Sequence, residues 1–146
     1  MRTAFAQELA ALAKTNDKIV LLVGDIGNTL FDEFKKVAPD RFFNCGIAEQ
    51  NMVSMAAGLA KSGFRPVCFT IAPFLTARCF EQIKIDCGYH NVPVVLAAVG
   101  AGLCYANLGP THQALDDIAI LRTVPNLTIL TPSTPTLCRF ALQQAF

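Results

Sequence analysis

Hydrophobic positions along the chain change period several times, and each change marks an element. Phe5, Leu9, Leu12 and Ala13 recur at helical spacing, after which Ile19-Val20-Leu21-Leu22-Val23 forms an unbroken run of strand formers closed by Gly24-Asp25. That spacing predicts a helix followed by a strand. The alternation then continues. A helical stretch covers 30–37, a short strand Phe42 to Cys45, a helix of small residues about 48–61, and a strand Pro66 to Ile71. An amphipathic helix over about 74–89, a strand Val92 to Val99, a glycine-punctuated loop, a helix over about 114–122, a strand Leu127 to Leu130 and a last helix after Pro135 complete the pattern.

The strand runs are continuously apolar rather than alternating, which means coverage on both faces, and helical stretches separate them. This predicts an α/β fold, an open and mostly parallel sheet of about five strands sandwiched by helices. Ligands of such sheets sit beyond the carboxyl ends of the strands, so the loops after Val23, Cys45, Ile71, Val99 and Leu130 are the places to look for chemistry. No repeat, low-complexity tract or linker interrupts residues 1–146, which read as one domain.

Composition narrows the function classes. Hydrophobic residues make up 53% of the chain and charged residues 16%, which excludes disorder and predicts that some apolar surface is covered by another chain. A formal charge of +1 leaves no field to attract nucleic acid or an anionic membrane. The stretch 87–115 lacks Asp, Glu, Lys and Arg, yet Pro93, Gly100, Gly102, Asn107 and Pro110 break it below the roughly 20 apolar residues of a membrane span. The N-terminal segment shows no secretory pattern, so a cytoplasmic location is expected. The 6 cysteines show neither CxxC nor zinc spacing and read as small buried hydrophobes, with no metal site. Gly100-Ala101-Gly102 fails as a dinucleotide fingerprint, because Tyr105 stands where its third glycine belongs.

One acid departs from its surroundings. Glu49 opens a helix whose body, Met52 to Ala60, carries no charge on any face, and such a helix is expected to be buried all round. Glu49 either complements the helix dipole in the first turn or is an acid on an apolar surface, placed to share a proton with a ligand nitrogen. Phe74 and Phe80 fall, with Ala77, Ile83 and Cys87, on the apolar stripe of the following helix and read alone as ordinary core. Arg78 and Glu81, one turn apart, read as a solvated pair. His112, in a loop before a helix, reads alone as a cap-region or solvent residue, and Asp25 as an Asx turn or N-cap.

Three motifs, GIAEQNMVSMAAGLA, FLTARCFEQIKID and GAGLCYANLGPTHQALDDIAILRTVPN, resemble in order and spacing the pyrimidine-binding domain of transketolases, best the small subunit of split transketolases, from Met1 to about Pro135. The resemblance implies thiamine diphosphate as cofactor, with Glu49 as the acid that hydrogen-bonds its pyrimidine and His112 facing substrate oxygens as the catalytic residues. It also implies Phe74 as the stacking aromatic, with Phe80 and Asp25 close to the cofactor. The diphosphate motif Gly-Asp-Gly followed by Asn is missing, and so is length for a C-terminal domain. A diphosphate-binding partner subunit or domain is therefore expected to supply the Mg2+ or Ca2+ site, in a homo- or hetero-oligomer acting on a sugar phosphate or related ketose and aldose. Assembly is expected through Met52, Met55, Ala56, Leu59 and Ala60. Leu108 stands where many transketolases carry an Asp that reads a substrate hydroxyl, and Ala98 where another substrate histidine falls, which leaves the substrate open. The alternatives are a 1-deoxyxylulose-phosphate synthase-like or 2-oxoacid dehydrogenase-like component, or a non-catalytic interaction subunit with the same fold.

Overall fold

The computed structural model describes residues 1–146. Its elements in chain order are α1 (Arg2–Thr15), β1 (Ile19–Val23), α2 (Asp32–Val37), β2 (Phe42–Asn44), α3 (Glu49–Lys61), β3 (Arg65–Ile71), α4 (Ala72–Leu75), α5 (Phe80–Gln82), β4 (Val95–Val99), α6 (Asp117–Leu121) and α7 (Pro135–Gln144). Short 3-10 turns at Pro39–Arg41 and Ala106–Leu108 and a π-helical stretch at Ile83–Tyr89 complete them. The strands form one 4-stranded sheet in the order β2-β1-β3-β4, with every neighbouring pair parallel.

Alternation along β1 divides the core. Ile19, Leu21 and Val23 face a layer with Leu9, Ala10 and Ala13 of α1, Phe31, Phe34 of α2, and Leu142 of α7. Val20 and Leu22 face the opposite layer, with Met52, Val53, Ala56 and Ala57 of α3 and with Cys68, Leu75, Cys79, Ile83 and Cys87. Arg41 ties the first layer together. Its guanidinium donates to the carbonyls of Ala13 at 3.0 Å and Asn16 at 2.9 Å, which close α1, and of Ile19 at 3.0 Å. The last helix starts on Thr134, whose hydroxyl accepts from the Leu137 N–H at 3.2 Å, with Pro135 in its first turn. Arg139 of α7 then reaches the Ala4 carbonyl at 3.3 Å and Glu8 at 3.4 Å on α1.

The open parallel sandwich is as expected, and several elements differ. Leu127 to Leu130 joins no strand, so the sheet has one strand fewer, and Leu130 stands exposed. A strand-forming run becomes a strand only by pairing, and the free edge of β4 takes no partner here. Strand β4 starts at Val95 instead of Val92, since Pro93 has no N–H to give a ladder. The helix expected from 114 begins at Asp117, because Ala114 forms an antiparallel bridge with Gly102 that holds its backbone extended.

The single helix expected over 74–89 is broken. Thr76 turns its hydroxyl onto the Ala72 carbonyl at 2.8 Å, and the Arg78 N–H donates to Pro73 five residues back at 3.2 Å, a wide π-type turn. Helix α3 is one-sided rather than enclosed. Met52, Val53, Ala56, Ala57 and Ala60 pack on the sheet, while Ser54, Met55 and Gly58 face out. Met52, Ala56 and Ala60 are thus spent on the chain's own core and are not available for assembly. The apolar side chains left near the start of α3 are Phe43, Ile47 and Met55, and Ile47 is 79% exposed.

Candidate active site

Parallel strands bring their carboxyl ends to one edge, and each of the loops there delivers a chemical group. After β1 comes Asp25, after β2 Glu49, after β3 Phe74 and Arg78, and after β4 His112. The backbone permits close approach at this edge. A Cβ on Gly24 would lie 2.9 Å from the Thr70 hydroxyl and 3.1 Å from Glu49 Cγ, so only glycine lets β1 end against the acid.

Glu49 is 1% exposed, the most deeply buried charged residue of the chain. Its carboxylate is not left in an apolar setting. Arg78 Nη1 donates to Oε2 at 2.6 Å, and the Thr70 hydroxyl donates to Oε1 at 3.4 Å. An opposite charge at this distance offsets the desolvation of a buried carboxylate. Arg78 therefore pairs with Glu49 and not with Glu81. The guanidinium carbon also lies 4.1 Å from the centre of the Phe74 ring, a cation–π contact.

The Phe74 ring also meets His112, whose ring centroid is 5.0 Å away at 68°, edge to face. The Thr111 hydroxyl lies 2.9 Å from His112 Nδ1, which orients the imidazole. The loop carrying both is folded back by the Gly102–Ala114 bridge, and Tyr105 packs so closely over Gly100 that a Cβ there would meet its ring. Behind the acid, the Cys79 thiol is pushed up to about 12, by burial first and by the Glu49 charge second, which keeps it un-ionised beside the site.

Arg78 thus links Glu49 to the pair Phe74 and His112. Asp25 sits at the same edge, in a left-handed backbone conformation with φ 52, clasped by Asn44. Asn44 Nδ2 donates to Asp25 Oδ1 at 3.0 Å, while Asn44 Oδ1 accepts the N–H groups of Asp25 and Gly46. The clasp fixes the ends of β1 and β2 side by side. Phe80, half-buried, packs against the α3 layer, with Lys84 Nζ 5.8 Å from the centre of its ring. Leu108 is exposed in the 3-10 turn before Gly109, and Ala98 lies next to the end of β4.

Sequence reasoning missed Arg78, Thr70 and Asn44 as members of this edge. Two of them carried a signal. Arg78 stands four residues after Phe74, on the same helical face, and Thr70 alternates with Cys68 toward the α3 layer. No three His, Cys, Asp or Glu side chains converge on a point that could hold a metal ion, and no helix is long and apolar enough to cross a membrane.

An open parallel α/β domain with a buried carboxylate, an aromatic face and an imidazole at the carboxyl edge of its sheet places these groups where sheets of this kind bind small molecules. Within that class the chain belongs to the transketolase family, its residues 1–146 matching the family model described as transketolase, pyrimidine binding domain. One subunit of the apulose-4-phosphate transketolase of Phocaeicola vulgatus is 40% identical over 132 residues, covering 90% of this chain and 42% of that protein. Human transketolase is 42% identical over 134 residues, covering 90% and 21%. 1-Deoxy-D-xylulose-5-phosphate synthase of Clostridium acetobutylicum is 41% identical over 130 residues, covering 88% and 20%. Among solved structures, a split-gene transketolase determined as an inactive beta4 tetramer superposes with a TM-score of 0.87 at 37% identity, covering 99% of this chain and 46% of that one. The chain spans less than half the length of these relatives.

Proposed function

We propose that this chain is the aminopyrimidine half of a thiamine diphosphate site in a transketolase-type transferase of two-carbon ketol groups. The single observation that carries the reading is Glu49, an acid 1% exposed at the carboxyl edge of a parallel sheet, joined through Arg78 to the Phe74 ring that His112 meets edge to face. The donor set suits a planar nitrogen heterocycle. The carboxylate offers an acceptor for a ring nitrogen and Phe74 offers a face, while Gly24 lets β1 end against that carboxylate. It does not suit a diphosphate with its cation, so that half, with Mg2+ or Ca2+, comes from a partner subunit or domain.

When bound, thiamine diphosphate supplies a carbon nucleophile that takes up and passes on a two-carbon fragment. Glu49 holds a proton at the ring nitrogen that faces it, and burial sharpens that exchange because no water competes for the carboxylate. Phe74 fixes the ring plane. His112, oriented through Nδ1 by Thr111, presents Nε2 toward substrate oxygen atoms. Asp25 and its Asn44 clasp hold the rim, and Phe80 supports α3 from below.

The partner and an oligomeric state belong to the same reading. They are supported by the inactive beta4 form of the split-gene relative and by Phe43, Ile47 and Met55, which stand apolar and exposed beside the start of α3. So does a cytoplasmic setting, supported by 6 free cysteines. The substrate class is a phosphorylated ketose donor with an aldose acceptor. A 1-deoxyxylulose-phosphate synthase-type reaction is the second reading, supported by relatives of that activity at 41% identity and by Leu108, which gives the substrate loop no hydroxyl-reading acid.

The test is exchange of the cofactor C2 proton in the complex with the diphosphate-binding partner. Glu49→Gln should slow it by about 10²-fold or more, the usual worth of a positioned acid–base group, while circular dichroism stays native. Undiminished exchange removes Glu49 from the chemistry. Assay with pyruvate against a ketose phosphate donor then separates the two substrate readings.

A further inference from the structure

One side chain occupies both halves of the proposed heterocycle site. Arg78 Nη1 takes Glu49 Oε2 at 2.6 Å, and the same guanidinium covers the Phe74 face at 4.1 Å. A guanidinium is planar, edged with N–H donors and weakly hydrated on its faces, so it stacks on a ring and grips a carboxylate in its own plane. An aminopyrimidine has the same outline: a flat ring, nitrogen at its edge and an exocyclic amine. Two flat groups cannot hold one carboxylate oxygen and one ring face together.

We propose that Arg78 is a resident stand-in for the cofactor's aminopyrimidine, which enters by displacing the guanidinium from Glu49 and Phe74. This rests on the reading of Glu49 and Phe74 as an aminopyrimidine site. The two partners differ in freedom, since the Arg78 side chain is 38% exposed and Glu49 only 1%. Arg78 can swing outward to water on its own side-chain torsions, while Glu49 stays. The wide turn from Pro73 to Arg78 supports this, because it interrupts the helix at a residue that stays exposed. The buried carboxylate then never stands without a partner, guanidinium in the free chain and heterocycle in the loaded one. Selectivity follows. Only a planar group with nitrogen at its edge can replace Arg78, so alkylamines are refused for want of a face and plain aromatic rings for want of a donor.

The experiment uses the full chain, wild type and Arg78→Ala, with 4-amino-2-methylpyrimidine, ethylguanidinium and ethylammonium as probes in NMR titrations. Removing the competitor should tighten pyrimidine binding about tenfold, the gain when an occluded state is abolished. Ethylguanidinium should compete for the same position in Arg78→Ala and, like the pyrimidine, restore the thermal midpoint lost by the variant; ethylammonium should do neither. Should Arg78→Ala fail to fold, the wild-type Arg78 side-chain resonances decide. Slowed rotation of the guanidinium in the free chain, released when the pyrimidine saturates it, supports displacement. Pyrimidine binding with the Arg78–Glu49 contact intact, or no tighter in Arg78→Ala than in wild type, overturns the stand-in role and leaves the site reading in place. Pyrimidine binding to neither chain while ethylguanidinium still rescues Arg78→Ala overturns the site reading itself, and the stand-in role with it.

Discussion

The two apolar layers flanking the sheet are close in size and opposite in character. The layer under α1, α2 and α7 has 14 buried residues and is organised by rings. Phe31 meets Phe69 edge to face with centroids 4.8 Å apart, and Phe5 stacks on Phe69 at 5.7 Å. The layer under α3 has 12 buried residues and no ring among them; Met52, Ala56, Ala57, Cys68, Cys79 and Cys87 fill it. Rings lock geometry, whereas methyl groups and thiols are small and adaptable. The candidate site sits on the second layer. Small side chains let α3 lie close to the sheet and carry Glu49 to the end of β1, and they accommodate the wide turn that aims Arg78. Rigidity on one face thus stands against an irregular segment, the one that carries the candidate site, on the other.

The largest break in this comparison should come from the ring layer. Phe31→Ala removes a fully buried ring from the Phe5–Phe69 cluster and should cost about 3–5 kcal/mol, read as a lower urea midpoint. A loss near 1 kcal/mol would show that the ring layer is no stiffer than the thiol layer.

A smaller change sharpens the link between packing and site. Gly24→Ala forces a methyl group against the Thr70 hydroxyl and Glu49 Cγ, and should cost about 1–3 kcal/mol in overpacking. The same variant should disturb the Arg78–Glu49 pair, read in the Arg78 side-chain resonances, while resonances of the ring layer stay in place. Unchanged Arg78 resonances would mean that the acid is not held by the end of β1.

The smallest effect is alkaline and confined to the thiol layer. Burial pushes Cys79 up to about 12 and Cys87 to about 11, and it lifts Cys68 as well, so the folded chain holds these protons more tightly than the unfolded one. The stability they contribute is complete below about pH 9, the ordinary thiol value, and drains as pH rises toward 11 and 12. Urea midpoints taken from pH 8 upward should fall, and a Cys79→Ala, Cys87→Ala double variant should start lower but fall less steeply. Equal slopes would place the alkaline sensitivity outside this layer.

How far the sequence reaches is visible in single residues. The unbroken run from Ile19 to Val23 announces a strand covered on both faces, since a solvated face demands polar positions that are not there. Strands separated by helical stretches must run parallel, and parallel strands put the loops after Val23, Asn44, Ile71 and Val99 on one edge. That argument alone brings Asp25, Glu49, Phe74 and His112 to the same end of the sheet. Local pattern determines these features because period and loop length act over a few residues.

Other features were decided only when the chain folded. The run from Leu127 to Leu130 has the composition of a strand, but a strand is a relation between two segments, and its neighbour supplies no pairing. The helix expected over 74–89 gave way where the Thr76 hydroxyl competes for a carbonyl, a preference that helical spacing does not record. Helix α3 is uncharged from Met52 to Ala60 and reads as enclosed, yet one small sheet covers only one of its faces. Phe74 and Phe80 share an apolar stripe on paper, and across the wide turn one meets Arg78 and His112 while the other packs half-buried against the α3 layer. Above all, the identity of Glu49's partner is tertiary. Arg78 is 29 residues away, Glu81 lies three residues beyond it, and only the turn that directs the Arg78 guanidinium toward the buried carboxylate makes the choice. Burial is what makes that choice binding, because a carboxylate without water takes whichever cation the fold brings to it.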